Sequence, residues 1–440
     1  MGASTSKKSP VVATMSSPMY CMNMMGSRHV LMAGGGGGAR TGVKNELQSW
    51  LFGFDTNISH APSFPINDIG VDFREAASID TSPHSTMNLD VVSIGLPEDG
   101  RYLIATSHDH FCDIYETDGF VVIEKENEPQ TLSLVPRHIA RIETVFVQNS
   151  KKDKYQKGVK FAELKGDLRL ITSGSDGMIR TWSVEDVLQR RENSKPLKEW
   201  SVCDAEIDDI EVTADGTTVF SIGGKSLCVW DIESGRRLYE VSSPAGYSPR
   251  SVGFTNRASD NVFFVVGYNP TVQRGRQSTK LIRWVCSLSQ TNLDLVASTD
   301  VLSEKISKIG IQRGGQWIAV GTMEGSVVIF RTFDLKRVKT IVGTHKDSFI
   351  TGVQVLPKQT DDFPQLQKSM NISEIPGPYA EAEVAVLTTS NDLTVQLHTV
   401  KYDNRPSILF AFFLSLVFMM VCPVFFSFFL PIFFSFMSKL

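Results

Sequence analysis

A run of five glycines, followed by a Thr-Gly pair, a lysine and an asparagine, is the stretch best suited to contact a ligand or partner through its backbone. Glycine has no Cβ, so its backbone adopts positive φ and brings N–H and C=O groups close to another molecule. The stretch spans residues 33–45. We expect the following residues of this stretch to form the functional loop: Gly34, Gly35, Gly36, Gly37, Gly38, Thr41, Gly42 and Asn45.

Two nucleotide-binding interpretations of this stretch fail. A P-loop requires Gly-Lys followed by Ser or Thr at the start of a helix, whereas here Lys44 is followed by Asn45. A glycine run satisfies almost any Gly-x-Gly pattern, and no βαβ unit follows. The alternating residues Glu46–Phe54 predict a returning strand. Two interpretations remain: a loop that presents backbone atoms to an ion or protein, and a flexible hairpin tip.

Other groups of reactive side chains are weaker candidates. His108 and His110 flank Asp109 at a spacing typical of metal ligands, but they lie on a turn between two strands, where a structural role is favoured. No Ser/His/Asp or Cys/His arrangement has a catalytic signature. The cysteines contain no Cys-x-x-Cys pair, which indicates reduced thiols. They are Cys21, Cys112, Cys203, Cys228, Cys286 and Cys422.

The glycine stretch belongs to a series of repeated units. Their typical order is a strand, an Asp-Gly turn, a second strand, a polar turn and a third strand. It is clear in residues 89–115, recurs at 168–184, and at 207–231 it ends in the Trp-Asp dipeptide of WD repeats. With the glycine-loop unit we count seven units, so the fold class is all-β, a seven-bladed WD-repeat-like propeller. Its turn and tryptophan residues are structural: Asp176, Gly177, Trp182, Asp215, Gly216, Trp230 and Asp231.

The composition of the chain predicts where the propeller domain begins and ends in the sequence. Residues 1–17 are polar and predict a disordered leader without a secretory signal, and residues 18–400 hold the propeller. A terminal strand commonly closes such a ring and removes open edges. We therefore expect Pro18–Met25 to pair beside Leu393–Val400.

The last part of the chain has the composition of a membrane segment. Residues 401–406 form a linker, and the phenylalanine-rich residues 407–437 contain no charged side chain. A run of about 20 apolar residues spans a bilayer, which predicts a C-terminal transmembrane helix. Lys401 and Arg405 precede it and favour a cytosolic propeller.

The glycine stretch resembles the loop of one known family. Five glycines, then Ala-Arg-Thr-Gly-Val-Lys-Asn at residues 39–45, after an early strand, are similar to the prolactin regulatory element-binding protein family. Its members are membrane-bound exchange factors for the Sar-type GTPase that starts COPII coat assembly at the endoplasmic reticulum. The resemblance implies a potassium ion on backbone carbonyls of the loop, which pushes against the GTPase. Arg40 stands where lysine is expected.

The resemblance implies guanine nucleotide exchange on a Sar-type GTPase at the endoplasmic reticulum membrane, without covalent chemistry. One alternative is a membrane-tethered adaptor without exchange activity. Another is the transcriptional role that the family name suggests. The net charge of −4 and pI near 6.1 argue against a nucleic-acid partner.

Overall fold

The computed structural model describes residues 11–38, 42–54, 71–96, 99–123, 131–146, 155–272, 277–290, 292–346, 348–357 and 382–401. The chain divides into two units, residues 1–400 and 401–440. Of the second unit only Lys401 is described. No helix within the described ranges is long and apolar enough to cross a membrane. The transmembrane helix expected at residues 407–437 lies outside those ranges.

The described part of residues 1–400 forms seven four-stranded antiparallel sheets, so the prediction of a seven-bladed propeller is confirmed. The first strand, β1 (Val11–Thr14), belongs to the last blade. The first blade contains β2 (Met19–Met25), β3 (His29–Gly34), β4 (Glu46–Phe54) and β5 (Val71–Asp80). The second contains β6 (Asn88–Ser93), β7 (Arg101–His108), β8 (Phe111–Asp118) and, after the ribbon β9 (Val121–Ile123) and β10 (Thr131–Ser133), β11 (Pro136–Glu143).

The remaining blades follow in chain order. The third contains β12 (Gln156–Leu164), β13 (Asp167–Gly174), β14 (Met178–Ser183) and, after helix α1 (Val184–Arg190) and a 3-10 turn (Arg191–Asn193), β15 (Lys198–Ser201). The fourth contains β16 (Ile207–Val212), β17 (Thr218–Gly223), β18 (Ser226–Asp231) and β19 (Arg237–Val241). The fifth contains β20 (Tyr247–Ala258), β21 (Asn261–Pro270), β22 (Lys280–Ser287) and β23 (Leu293–Asp300). The sixth contains β24 (Ile306–Ile311), β25 (Trp317–Thr322), β26 (Val327–Arg331) and β27 (Lys336–Ile341). The seventh contains β28 (Ile350–Val355), β29 (Ala382–Ser390), β30 (Thr394–Lys401) and β1.

The ring closes differently from the sequence-based expectation. Val11–Thr14 pairs antiparallel with β30 and completes the last blade, so the prediction that Pro18–Met25 fills this position is wrong. The prediction of a disordered leader is also wrong for residues 11–14. Because the first blade needs four strands, Met19–Met25 serves as its innermost strand. Met15 and Met19 join side chains of both terminal blades in one apolar cluster.

The innermost strand of each blade contacts the innermost strands of its two neighbours, and together they line a central cavity of about 1250 Å³. Two ion pairs cross between blades in this cavity: Lys160 Nζ lies 3.0 Å from Glu211 Oε2, and Lys308 Nζ lies 3.1 Å from Asp209 Oδ1. A buried charge needs such a partner.

The tryptophans of the WD-like turns have structural roles. Trp182 Nε1 donates to Thr172 Oγ1 at 3.0 Å, and Trp230 Nε1 donates to Ser221 Oγ at 2.8 Å. Both indoles are buried within their blades. These bonds tie the third strand of a blade to its second.

Candidate functional site

The glycine-rich loop is the connection between β3 and β4. Gly34, the last residue of β3, pairs with Glu46 in β4 and with Met19 in β2. The loop therefore leaves the first blade at the end of the ring where the innermost strand begins, which we call the loop end. The predicted strand–loop–strand order is confirmed, and the order differs from that of a P-loop.

The first two glycines of the loop are required by close packing. An ideal Cβ on Gly34 would lie 2.0 Å from Pro18 O, and one on Gly35 would lie 2.3 Å from Asn45 Oδ1. Gly35 also has φ +133°, which residues with a Cβ rarely adopt. Its N–H donates to Pro18 O at 2.9 Å. The loop is thus held against the segment that precedes β2.

The later glycines face open space. An ideal Cβ on Gly37 or Gly42 would meet no atom within 4 Å, and one on Gly38 would lie 3.9 Å from Pro83 O. Gly37 and Gly42 have positive φ, and Gly36 is half-buried. The predicted glycines therefore fall into a packed base and an open tip. Thr41 lies outside the described residues.

Asn45 fixes the shape of the loop. Its side chain is only 3% exposed. The Oδ1 atom accepts from Gly37 N–H at 2.8 Å, and the Nδ2 group donates to Gly37 C=O at 3.2 Å. Its own C=O accepts from Thr81 N–H at 2.9 Å. This geometry makes Asn45 an internal support of the loop.

A buried polar chain beneath the loop was missed by sequence reasoning. Glu46 Oε2 accepts from Ser16 Oγ at 3.1 Å and from Gln48 Nε2 at 3.0 Å. Gln48 Oε1 in turn accepts from Trp50 Nε1 at 3.0 Å. The sequence does contain a sign of this chain. Residues 46, 48 and 50 alternate along β4 and so share one face, and each side chain ends in a polar group. This chain links the base of the loop to the residues that follow β1.

The connection from β5 to β6 packs beside the loop. Ser85 Oγ donates to Gly35 C=O at 3.4 Å, and His84 Nδ1 lies 2.6 Å from Asp109 Oδ2. Hydrogen bonds from the Ser82 hydroxyl and N–H lower the pKa of Asp80, at the start of this connection. The loop base is thus held on both sides, by the segment before β2 and by this connection.

The His108-Asp109-His110 turn does not combine into one site. His108 is buried, and its imidazole bonds Thr106 Oγ1 at 2.9 Å. Burial lowers its pKa to about 4, and nearby Asp113 only partly opposes this shift. His108 is therefore neutral at pH 7. Within the described ranges, no group of three or more His, Cys, Asp or Glu side chains is placed to hold a metal ion.

The loop base does offer oxygen atoms of the kind that alkali cations bind. Asn45 Oδ1 and Lys44 C=O lie 2.3 and 2.6 Å from the position that a Cβ on Gly35 would take. Both oxygens therefore pack closely against Gly35, and this packing leaves no room for a side chain at that position. Backbone carbonyl oxygens of this kind replace the hydration shell of potassium in ion channels.

Comparison with known proteins supports the resemblance found in the loop. No family model matches the sequence. The chain is 24% identical over 379 residues to the guanine nucleotide-exchange factor SEC12 of Rattus norvegicus, covering 78% of this chain and 82% of the relative. The SEC12 protein of Mus musculus is 23% identical over 372 residues, with the same coverage. The predicted resemblance is confirmed, and it extends well beyond the loop.

Proposed function

We propose that this chain is a guanine nucleotide exchange factor that activates a Sar-type small GTPase at the endoplasmic reticulum and so starts COPII vesicle formation. The observation that carries the proposal is the similarity to two guanine nucleotide-exchange factors over 78% of the chain. The glycine-rich loop adds support, because its base is held on both sides while its tip is open.

The mechanism requires binding energy and no covalent step. An exchange factor accelerates GDP release when it binds the nucleotide-free GTPase more tightly than the GDP-bound form. Gly37 and Gly38 at the loop tip have no side chains and can approach a partner's backbone closely. Asn45 holds that tip in one conformation before the partner arrives, which lowers the entropy lost on binding.

We further propose that potassium binds at the loop base. Backbone carbonyls of the loop would hold it, and the carbonyl of Lys44, which packs against Gly35, is one that the structure describes. The ion would supply positive charge beside the loop. The chain's own part is to fix these oxygens, since Asn45 is itself bonded to Gly37.

The proposed location rests on the apolar residues 407–437, joined to the propeller by the linker 401–406. A C-terminal anchor would place the propeller on the cytosolic side of the endoplasmic reticulum membrane, where the GTPase acts. Alkaline carbonate extraction tests this anchor. The full chain should stay in the membrane pellet, and release into the supernatant would contradict the anchor.

The exchange function is tested by release of a fluorescent GDP analogue from a Sar-type GTPase, with the full chain added in mild detergent. We expect catalytic amounts to accelerate release, whereas a Ras-type GTPase should be unaffected. Binding to the Sar-type GTPase without any acceleration would favour the adaptor alternative.

A further inference from the structure

The glycine-rich loop is too small to be a whole binding surface. Specific protein interfaces bury about 800 Å² on each partner and involve about 20–30 residues. Around its tip, the described side chains that extend beyond glycine are Val43 and Lys44. Neither is of the aromatic, methionine or arginine type that is enriched in interfaces. A partner that engages the tip must therefore also contact the face of the propeller.

Two exposed apolar side chains flank the base of the loop at the loop end. Met87 is 54% exposed and Phe349 is 42% exposed, and both line the mouth of the central cavity together with half-buried Tyr20. We call these three residues the mouth patch. Monomeric proteins commonly expose single apolar residues. Exposure alone therefore does not indicate an interface, and the position of these residues is what matters.

Hydrogen bonds connect both sides of the mouth patch to the loop base. Met87 follows Ser85, whose hydroxyl donates to Gly35 C=O at 3.4 Å. Phe349 precedes Thr351, whose hydroxyl donates to Met19 C=O at 2.6 Å. The preceding residue, Pro18, accepts from Gly35 N–H at 2.9 Å. Residues close to the patch in the second and seventh blades are therefore bonded to the loop base or to the segment that holds it in the first blade.

We propose that the mouth patch is the docking surface for the same GTPase, beside the glycine-rich loop, an inference that rests on the proposed function. Met87 and Phe349 supply apolar contact area, and the loop supplies the contact that changes between the GDP-bound and nucleotide-free partner. Contacts made equally in both states lower KM, whereas contacts made only in the exchange transition state raise kcat. Loss of the patch should therefore appear mainly in KM.

The chain contains matched controls for this surface. Val272 is 56% exposed at the loop end, but on the fifth blade, across the ring. Phe333 is 79% exposed between β26 and β27, a turn at the opposite end of the propeller. Serine substitutions at these positions remove similar apolar surface away from the loop.

The test measures GDP release by the full chain over a range of GTPase concentrations, for Met87→Ser, Phe349→Ser and both together. We expect kcat/KM of the double variant to fall about tenfold or more, mostly through KM. Val272→Ser and Phe333→Ser should stay within about twofold of wild type, as expected outside an interface hot spot. Thermal unfolding checks that each variant is folded. If the double variant is unfolded, the kinetics of the two single variants test the proposal instead.

Two outcomes are distinguishable. A double variant as active as wild type, beside a slow Asn45→Ala variant, would overturn the mouth patch and leave the exchange function standing. A wild-type chain that does not accelerate GDP release would overturn the exchange function and this inference with it.

Discussion

The side-chain amide of Asn45 bonds both backbone groups of Gly37, accepting from its N–H at 2.8 Å and donating to its C=O at 3.2 Å. These bonds join two residues that are eight positions apart in the chain. An amide side chain carries both the acceptor and the donor that this pairing uses. The loop thus contains an internal brace, and its glycines are not simply a flexible tip.

The two groups of glycines should respond differently to a methyl group. Gly35→Ala places a Cβ 2.3 Å from Asn45 Oδ1 at φ +133°, so we expect it to cost about 1–3 kcal/mol of folding stability. Gly38→Ala meets only Pro83 O at 3.9 Å and should leave stability unchanged. Urea unfolding measures both. Equal stability of the two variants would contradict the packed base.

Ring closure by β1 predicts a specific stability loss. Met15 follows β1 and is buried in the cluster that joins the two terminal blades. Met15→Ala should lower the free energy of unfolding by about 2–5 kcal/mol. Exposed Met87 provides the control, because Met87→Ala should change it by less than about 0.5 kcal/mol. A neutral Met15→Ala would show that β1 does not hold the ring closed.

Buried His108 predicts a stability that falls with acid. In the unfolded chain a histidine binds a proton near pH 6.5, whereas burial lowers the pKa of His108 to about 4 in the folded state. Between these values the unfolded state binds more protons, so stability decreases as pH falls from about 7 to 4. The contribution is about 3 kcal/mol, at about 1.4 kcal/mol per pKa unit.

Urea unfolding at several pH values, for wild type and His108→Gln, measures this contribution. The pH dependence should be shallower in the variant. His110→Gln, on the exposed side of the same turn, should keep the wild-type slope. His345 and His398 are also buried with lowered pKa values, so a residual slope of the same sign is expected. A wild-type slope in His108→Gln would exclude the assignment.

Potassium should affect both the loop and the exchange rate. With sodium in place of potassium, we expect slower GDP release and faster hydrogen exchange at the amides of Gly36–Gly38. The Gly35→Ala variant should lose this difference, because its Cβ would lie 2.6 Å from Lys44 C=O and would displace this oxygen. Identical behaviour in both salts would mean that the loop acts without the ion.

Local patterns were sufficient to predict the propeller. Strand alternation marks the units, Asp-Gly turns occur in three of them, and Trp230-Asp231 ends one, and the corresponding blades are present. Local patterns could not predict which distant segments of the chain pair with each other. Val11–Thr14 is a four-residue edge strand, and its role depends on β30 at the far end of the chain. β5 runs to Asp80, although Ile79 is the one strong β-former in its second half, because pairing with β4 outweighs local propensity.

The site was predicted in part for the same reason. The glycine run identified the loop, but the sequence could not show which glycines pack and which are open, since that depends on Pro18 and Asn45. The buried polar chain was missed because Glu46 gains its partner Ser16 only when the ring closes. A polar residue on a strand is otherwise expected to face solvent.

The most direct test of the account is GDP release from the Sar-type GTPase, catalysed by the full chain and by its Asn45→Ala and Asn45→Asp variants. Exposed Asn391→Ala, on a turn of the seventh blade, is the control. We predict acceleration by wild type and Asn391→Ala. Asn45→Ala should lose about tenfold or more, since two hydrogen bonds of about 1 kcal/mol each are removed. Asn45→Asp, which keeps only the acceptor, should be intermediate. A wild-type rate in Asn45→Ala would contradict the claim that the braced loop drives exchange.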